Sequence, residues 1–398
     1  MKAFIPLLLG ALFCISCIDR VNELEISAPT VDNEKKIFNE GSVFADNNFD
    51  GGRINDFKRI NDSTYQVLIN PENTPVNSSP WFAFRIWSEK AQKVVLNISY
   101  SQGYKHRYIP KLSTNGTHWT PADPSSYQED ATDGNLILKL QLGPEKLWVS
   151  AQENLNSFYI NSWMDSLAKK EHISIEHIGN SVLGQHISLL RVREAKPAHS
   201  IILIGRQHPP EVPGGTISLM SFVQTILSDT DVANRFRDRF EILVFPLLNP
   251  DGVDNGNWRH NANGEDLNRD WISFRQPETR AVRNLLLSYK NSPDHTDYRF
   301  GIDFHTSFSG PYLLTLDTIP QNVHPEITNK WIAQIESNTN EKLDIRPRAQ
   351  SLPYCYNWMI NELEIEAVTY EEGDEIDRKV VKKRASDYAN SLMRVLME

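Results

Sequence analysis

The sequence predicts an α/β domain with a mostly parallel sheet, preceded by a small antiparallel β-sandwich. Three observations predict it. Between about residues 41 and 152, short stretches of alternating apolar residues are separated by turn-formers such as Asn70-Pro71-Glu72-Asn73 and Ser113-Thr114-Asn115-Gly116. From residue 153 onward, apolar strand-like runs alternate with stretches of helical period, the signature of a parallel sheet with crossover helices. The residues with most chemical capacity fall directly after those runs, at the edge where open α/β sheets bind ligands.

Composition fits ordinary globular material. Of 398 residues, 40% are hydrophobic and 23% charged, and the length suits two domains plus processing segments. The formal net charge of -10 speaks against holding nucleic acid by general electrostatics, which needs clustered Lys and Arg. Lys379, Lys382, Lys383 and Arg384 are read as a solvated helix face.

The N-terminus reads as a targeting segment. Lys2 precedes an apolar run, residues 4–15, of signal-peptide length and too short for a comfortable membrane span. The run ends in Cys14-Ile15-Ser16-Cys17, which resembles a bacterial lipobox with Cys17 as the lipidated residue. The expectation is a signal peptide over residues 1–17, a polar tether over 18–40, and an exported cell-envelope lipoprotein whose membrane contact is the N-terminal lipid alone. Cys355 is then a lone cysteine, read as a small buried residue, and no disulfide framework exists.

In the first domain, 41–152, strands are expected at residues 64–69, 81–87, 94–100, 107–112, 136–142 and 147–151. The period of two puts Phe82, Phe84 and Ile86 on one face. These aromatics are read as core in preference to a carbohydrate-binding platform. In the second domain, 153–398, a helical stripe over residues 156–170 leads into strands at 173–178, 187–192 and 201–204. A helix near 215–223, a strand at 242–248 and a helix near 278–289 follow. The remaining elements are a strand at 300–304, a helix near 328–338, a strand at 367–370 and a helix at 379–396.

A hydrolytic zinc site needs three protein ligands and an open position. His208 and Glu211 are two residues apart on a turn after a strand, within reach of one ion, and His305 sits at the end of another strand. The competing reading is a pair of hydrogen-bonded histidines at loop starts. Thr369-Tyr370-Glu371-Glu372 brings two carboxylates to a further strand end, either a general base or a solvated acidic loop. Arg259, Asn268 and Arg269 are candidates for gripping a carboxylate or an oxyanion, against surface salt bridges as the alternative. Asp266 is a candidate to orient a metal-bound histidine.

Together, His208-Pro209-Pro210-Glu211, Asn249-Pro250-Asp251-Gly252, the stretch from Arg259 through Asp266-Leu267-Asn268-Arg269, Phe304-His305 and Thr369-Tyr370-Glu371 resemble the zinc carboxypeptidases of the carboxypeptidase A superfamily, in the family's order. The resemblance implies a mixed eight-stranded sheet flanked by helices and one zinc ion per chain, held by His208, Glu211 and His305. It implies that Asp266 supports His208, that Arg259 stabilises the oxyanion, that Asn268 and Arg269 hold the substrate's terminal carboxylate, and that Glu371 is the general base acting with zinc on a water. The implied activity is removal of C-terminal residues from peptides or proteins. The nearer alternative is trimming of peptidoglycan stem peptides, and the alternative from another class is a non-catalytic binding lipoprotein. The family's mobile tyrosine falls on Tyr354 or Tyr356, with Tyr356 also the candidate specificity position. Where the family's digestive enzymes carry an Arg between the first two ligands, this chain has Pro209 and Pro210. The two-domain layout, with Trp81-Phe82-Ala83-Phe84-Arg85, resembles the cytosolic-carboxypeptidase branch.

Overall fold

The computed structural model describes residues 33–398 except 102, 195, 293–295, 319, 321–322 and 324–325. The first domain comprises β1 (Ile37–Glu40), β2 (Val43–Asp46), β3 (Asp56–Arg59), β4 (Thr64–Ile69), β5 (Ala83–Ser88), β6 (Gln92–Tyr100), β7 (Lys111–Ser113), β8 (Thr120–Pro121), β9 (Tyr127–Glu129), β10 (Leu136–Leu142) and β11 (Leu147–Ser150). They form two sheets, ordered β1-β2-β5-β11-β7-β8 and β3-β4-β6-β10-β9. Pairing is antiparallel with one exception, β4 beside β6, which is parallel. Phe82, Phe84 and Ile86 are buried between the sheets, so these aromatics are core. The tether expected to run to residue 40 stops earlier. Residues 37–40 form an edge strand on β2, and Asn33 already donates to the carbonyls of Gly52 and Asn255. A half-exposed strand of four residues is too short to show a period.

The second domain opens with α1 (Ser157–Leu167), whose Asn156 side chain accepts from the Tyr159 amide as an N-cap. It continues through β12 (Ile173–Asn180), β13 (His186–Val192), β14 (His199–Gly205), α2 (Leu219–Ile226), α3 (Asp231–Arg239), β15 (Phe240–Phe245), α4 (Pro250–Asp254), α5 (Pro277–Lys290), β16 (Asp297–Ser307), β17 (Tyr312–Leu316), α6 (Glu326–Thr339), β18 (Ile345–Arg348), α7 (Cys355–Trp358), β19 (Glu366–Gly373) and α8 (Arg378–Met397). The eight-stranded sheet has the order β12-β13-β15-β14-β16-β19-β17-β18. Its centre, β15-β14-β16-β19, is parallel throughout and reads as continuous apolar runs because helices cover both faces. The parallel strands therefore all end at one edge, where the candidate residues lie.

The two domains share a core. Val212, Ile217, Trp258 and Val381 of the second domain pack in the same apolar cluster as the sandwich interior. No helix among the described residues is long and apolar enough to cross a membrane.

A candidate metal centre at the strand ends

The first two candidate ligands are set by the turn after β14. Arg206 adopts a left-handed conformation, φ 54°, unusual for a residue with a side chain. Its buried guanidinium donates to the carbonyls of Pro209 and Leu155 and to the Thr216 hydroxyl, which holds the turn. A short π-helical segment, Pro213–Ser218, then packs against β16. A Cβ on Gly214 would lie 1.6 Å from the His305 carbonyl oxygen, so only glycine permits this approach.

The Glu211 carboxylate sits between two imidazoles. Its Oε1 is 2.7 Å from His208 Nδ1 and its Oε2 is 2.6 Å from His305 Nδ1. These three residues offer ligand atoms within 4.8 Å of one another. Each imidazole has a carboxylate on its other nitrogen. His208 Nε2 lies 2.9 Å from Asp266 Oδ1, and His305 Nε2 lies 2.8 Å from Asp303 Oδ2. Each Nε2 donates to its own carboxylate, which orients the ring, and each Nδ1, here donating to Glu211, is the atom that would turn to a cation once its proton is released. Two imidazoles and one carboxylate, oriented this way, fit a zinc ion with a position left open.

Glu371 lies across from His305 in the parallel register of β16 and β19, and its Oε2 is buried without a hydrogen-bond partner. Glu372 points elsewhere: Tyr370 and Arg384 donate to its fully buried carboxylate. Arg259 Nε donates to Asp266 Oδ2 at 2.6 Å, so Asp266 bridges His208 and Arg259. Asn268 Oδ1 accepts from the Cys355 amide, and the Arg269 guanidinium lies 4.5 Å over the Tyr354 ring.

Burial and charge oppose each other here. Burial alone would raise the Glu211 carboxyl, but His208 and His305 outweigh it and hold it well below the usual carboxylate range. Asp266 is treated alike: burial is outweighed by His208, then by Arg259 and Arg269. Glu371 goes the other way. Burial pushes it up to about 7, with His305 opposing and Glu211 adding.

A cavity of about 400 Å³ gathers His208, Glu211, His305, Arg259, Asn268, Arg269 and Glu371. Tyr354 lines it and Tyr356 does not. The candidate role of Tyr356 in substrate binding is corrected accordingly. Its ring is fully buried in the core, and its hydroxyl donates to the Thr315 carbonyl. Cys355 is buried and free. Asp303 escaped the sequence reading, although it precedes His305 by two residues in a strand and so shares its face. Gln207, which donates to Asp303 and accepts from Trp271, also escaped. So did the cavity wall that the first domain supplies. Asn77, Ser78, Ser79 and Arg107 line it, with Arg107 held by both oxygens of Asp374 just past β19. No local pattern marks residues that meet a site more than a hundred positions away.

The zinc carboxypeptidase family matches residues 160–310, and the cytosolic carboxypeptidase N-terminal domain matches residues 45–151. The chain thus carries a zinc carboxypeptidase domain preceded by a cytosolic carboxypeptidase N-terminal domain. Cytosolic carboxypeptidase 6 of Mus musculus is 25% identical over 295 residues, covering 67% of this chain and 53% of its own length. Its namesake from Caenorhabditis elegans is 22% identical, covering 68% of this chain and 64% of its own length. The chain thus spans roughly half to two thirds of the length of these curated relatives. Among solved structures, a metallo-carboxypeptidase from Burkholderia cenocepacia superposes with TM-score 0.74 at 17% identity, over 90% of this chain and 98% of that one. One from Pseudomonas aeruginosa, in complex with (2-guanidinoethylmercapto)succinic acid, gives 0.71 at 19% identity, over 89% and 99%. These likenesses establish the fold: the mixed sheet flanked by helices and the β-domain before it. Zinc carboxypeptidases are metal-dependent hydrolases, and the domain match implies zinc as the cofactor.

The comparisons overturn one expectation. An exported, lipid-anchored envelope protein does not agree with relatives named cytosolic carboxypeptidases, nor with a first domain matching their N-terminal domain. An apolar run followed by cysteine, the whole basis for a signal peptide, a lipid on Cys17 and a membrane anchor, is a pattern of low specificity. Those residues lie outside the described ones.

Proposed function

We propose that this chain is a metallocarboxypeptidase that removes the C-terminal residue from peptides or proteins, using one zinc ion held by His208, Glu211 and His305. The observation that carries the reading is the Glu211 carboxylate shared between two Nδ1 atoms, each imidazole backed by its own carboxylate, in a cavity with the partnerless Glu371 oxygen. When bound, zinc supplies Lewis acidity, making a water acidic and polarising the scissile carbonyl.

The protein groups then divide the work. Asn268 and Arg269 take the substrate's terminal carboxylate, which makes the reaction an exopeptidase one. Tyr354, stacked under Arg269, closes that end of the cavity. Glu371, whose buried Oε2 has no hydrogen-bond partner, accepts the proton of the attacking water and returns it to the departing amine. Arg259, fixed by Asp266, stabilises the negative oxygen of the tetrahedral intermediate. No comparison favours peptidoglycan stem peptides or a non-catalytic binding role.

The test is a peptide library with varied C-terminal residues, incubated with the zinc-loaded full chain and followed by mass spectrometry, beside Glu371→Gln and a chelated sample. Stepwise loss of single C-terminal residues, absent in both controls, is the expected result. A chain that binds one zinc yet trims nothing would overturn the reading.

A further inference from the structure

Two buried charges of the first domain grip the loop that carries Arg259. Glu72 is 8% exposed, and its carboxylate accepts three successive backbone N–H groups: Trp258 at 2.7 Å, Arg259 at 2.9 Å and His260 at 2.7 Å. Arg53 is 1% exposed and donates to the carbonyls of Gly256 and Asn255 and to the side-chain oxygen of Asn257. Its remaining bond, to the Asn70 carbonyl, ties it to the Glu72 turn. The anion thus meets amide hydrogens and the cation meets oxygens of the same loop. Asn73 extends the grip, with Oδ1 2.6 Å from His260 Nδ1 and Nδ2 donating to the Gly264 carbonyl.

Arg259 is consequently held from two directions. Its main chain is fixed by Glu72 of the first domain, and its Nε by Asp266 of the second. Asp266 in turn contacts His208. A burial this deep is tolerated because each charge is satisfied and the two offset each other. The Arg53 guanidinium feels Glu72 as its opposing charge.

We infer that Glu72 is a positioning residue for the reaction proposed above: it sets the place of the Arg259 guanidinium by fixing three consecutive amides. The inference rests on that reading for its catalytic consequence, but not for the loop contact itself. Glu72→Gln puts an NH2 group against an amide N–H, so at least one of the three bonds is lost while side-chain volume stays.

The experiment uses the zinc-loaded full chain, wild type against Glu72→Gln and Glu72→Asp, each also on an Arg259→Ala background. The expected result on the wild-type background is a fall in kcat of about ten- to a hundredfold, the scale of small misplacements of a catalytic group. KM and zinc stoichiometry stay within about twofold by the same reasoning, since neither ligands nor carboxylate grip move. With Arg259 already removed, Glu72→Gln changes kcat little, because the group it positions is gone. Equal loss on both backgrounds, or none on either, overturns the inference. Amide hydrogen exchange supplies a readout independent of turnover. Protection at residues 258–260 should drop in Glu72→Gln while β14 and β16 stay protected, and unchanged protection overturns the inference. If Glu72→Gln does not fold, Glu72→Asp keeps the charge opposite Arg53 and shortens the reach, and the same readouts apply. A wild type that holds zinc but trims no peptide sinks the carboxypeptidase reading alone; the exchange result still decides whether Glu72 holds the loop.

Discussion

Asp303→Asn replaces one oxygen of a fully buried carboxylate by an NH2 group, and the structure dictates which one. Gln207 donates from Nε2 to Asp303 Oδ1 at 2.8 Å and cannot flip, because its own Oε1 accepts the Trp271 indole N–H at 2.9 Å. The retained asparagine oxygen must therefore face Gln207. The new NH2 then faces His305 Nε2, where a carboxylate oxygen stood at 2.8 Å. His305 can satisfy it only by moving its ring proton to Nδ1, the nitrogen that faces Glu211. That is the wrong tautomer for a ligand bound through Nδ1. Losing such a carboxylate partner costs about ten- to a hundredfold in metal affinity, or about 1.4–2.7 kcal/mol. The assay is zinc affinity by chelator competition near neutral pH, with thermal unfolding of both metal-free proteins as a control for folding. A folded Asp303→Asn variant with wild-type zinc affinity would refute the tautomer argument.

Glu371→Gln should lower kcat by about a hundredfold or more while one zinc per chain is retained, read by turnover and metal analysis, since only the proton acceptor is removed. Arg269→Ala should raise KM about ten- to a hundredfold for peptides with a free C-terminal carboxylate, the loss of one charge-assisted pairing, and peptides amidated at the C-terminus should be poor substrates for the wild type. Glu278 carries a pH signature. Burial first of all raises its carboxyl to about 7 from 4.5. The native state therefore holds a proton that the unfolded chain has lost, and stability falls as pH rises between those values, by up to about 3 kcal/mol. Glu278→Gln should flatten that slope in urea unfolding followed from about pH 5 to about pH 8; an unchanged slope would assign the dependence to other groups.

Much of the second domain was legible because its central strands are buried on both faces and its helices carry apolar stripes. Metal-ligand candidates could be named because β14 announces its end by Gly205, three residues before His208, and the apolar run up to Phe304 places His305 two residues before the end of β16. Helix α3 was not read because its sequence, Asp231 to Arg239, is mostly polar and only Ala233, Phe236 and Arg237 are buried. Strand β17 and its edge neighbour β18 are short and partly exposed, with no sustained alternation. Tyr354 and Tyr356 are two residues apart, and nothing local says which ring the chain turns inward. Glu72, Arg53 and Arg107 were invisible for a different reason. Their partners lie 186 to 267 positions away, and a lone charge carries no sign of what it will meet.

The site is built across both domains, and the chain emerges from the ribosome in one direction. At roughly 5–20 residues per second, the sandwich is complete on the order of ten seconds before the segment around Arg259 appears. That segment, polar and rich in Asn and Gly, has little means of finding one shape by itself. It emerges after Glu72 and Arg53, the residues that grip it in the folded chain, and brings Trp258 to the apolar cluster of the sandwich. The order of the two domains along the chain is then part of how the site is assembled, with the first domain serving as the mould. A circular permutant that synthesises the sandwich last is expected to gain activity more slowly after release than the natural order, at equal final activity.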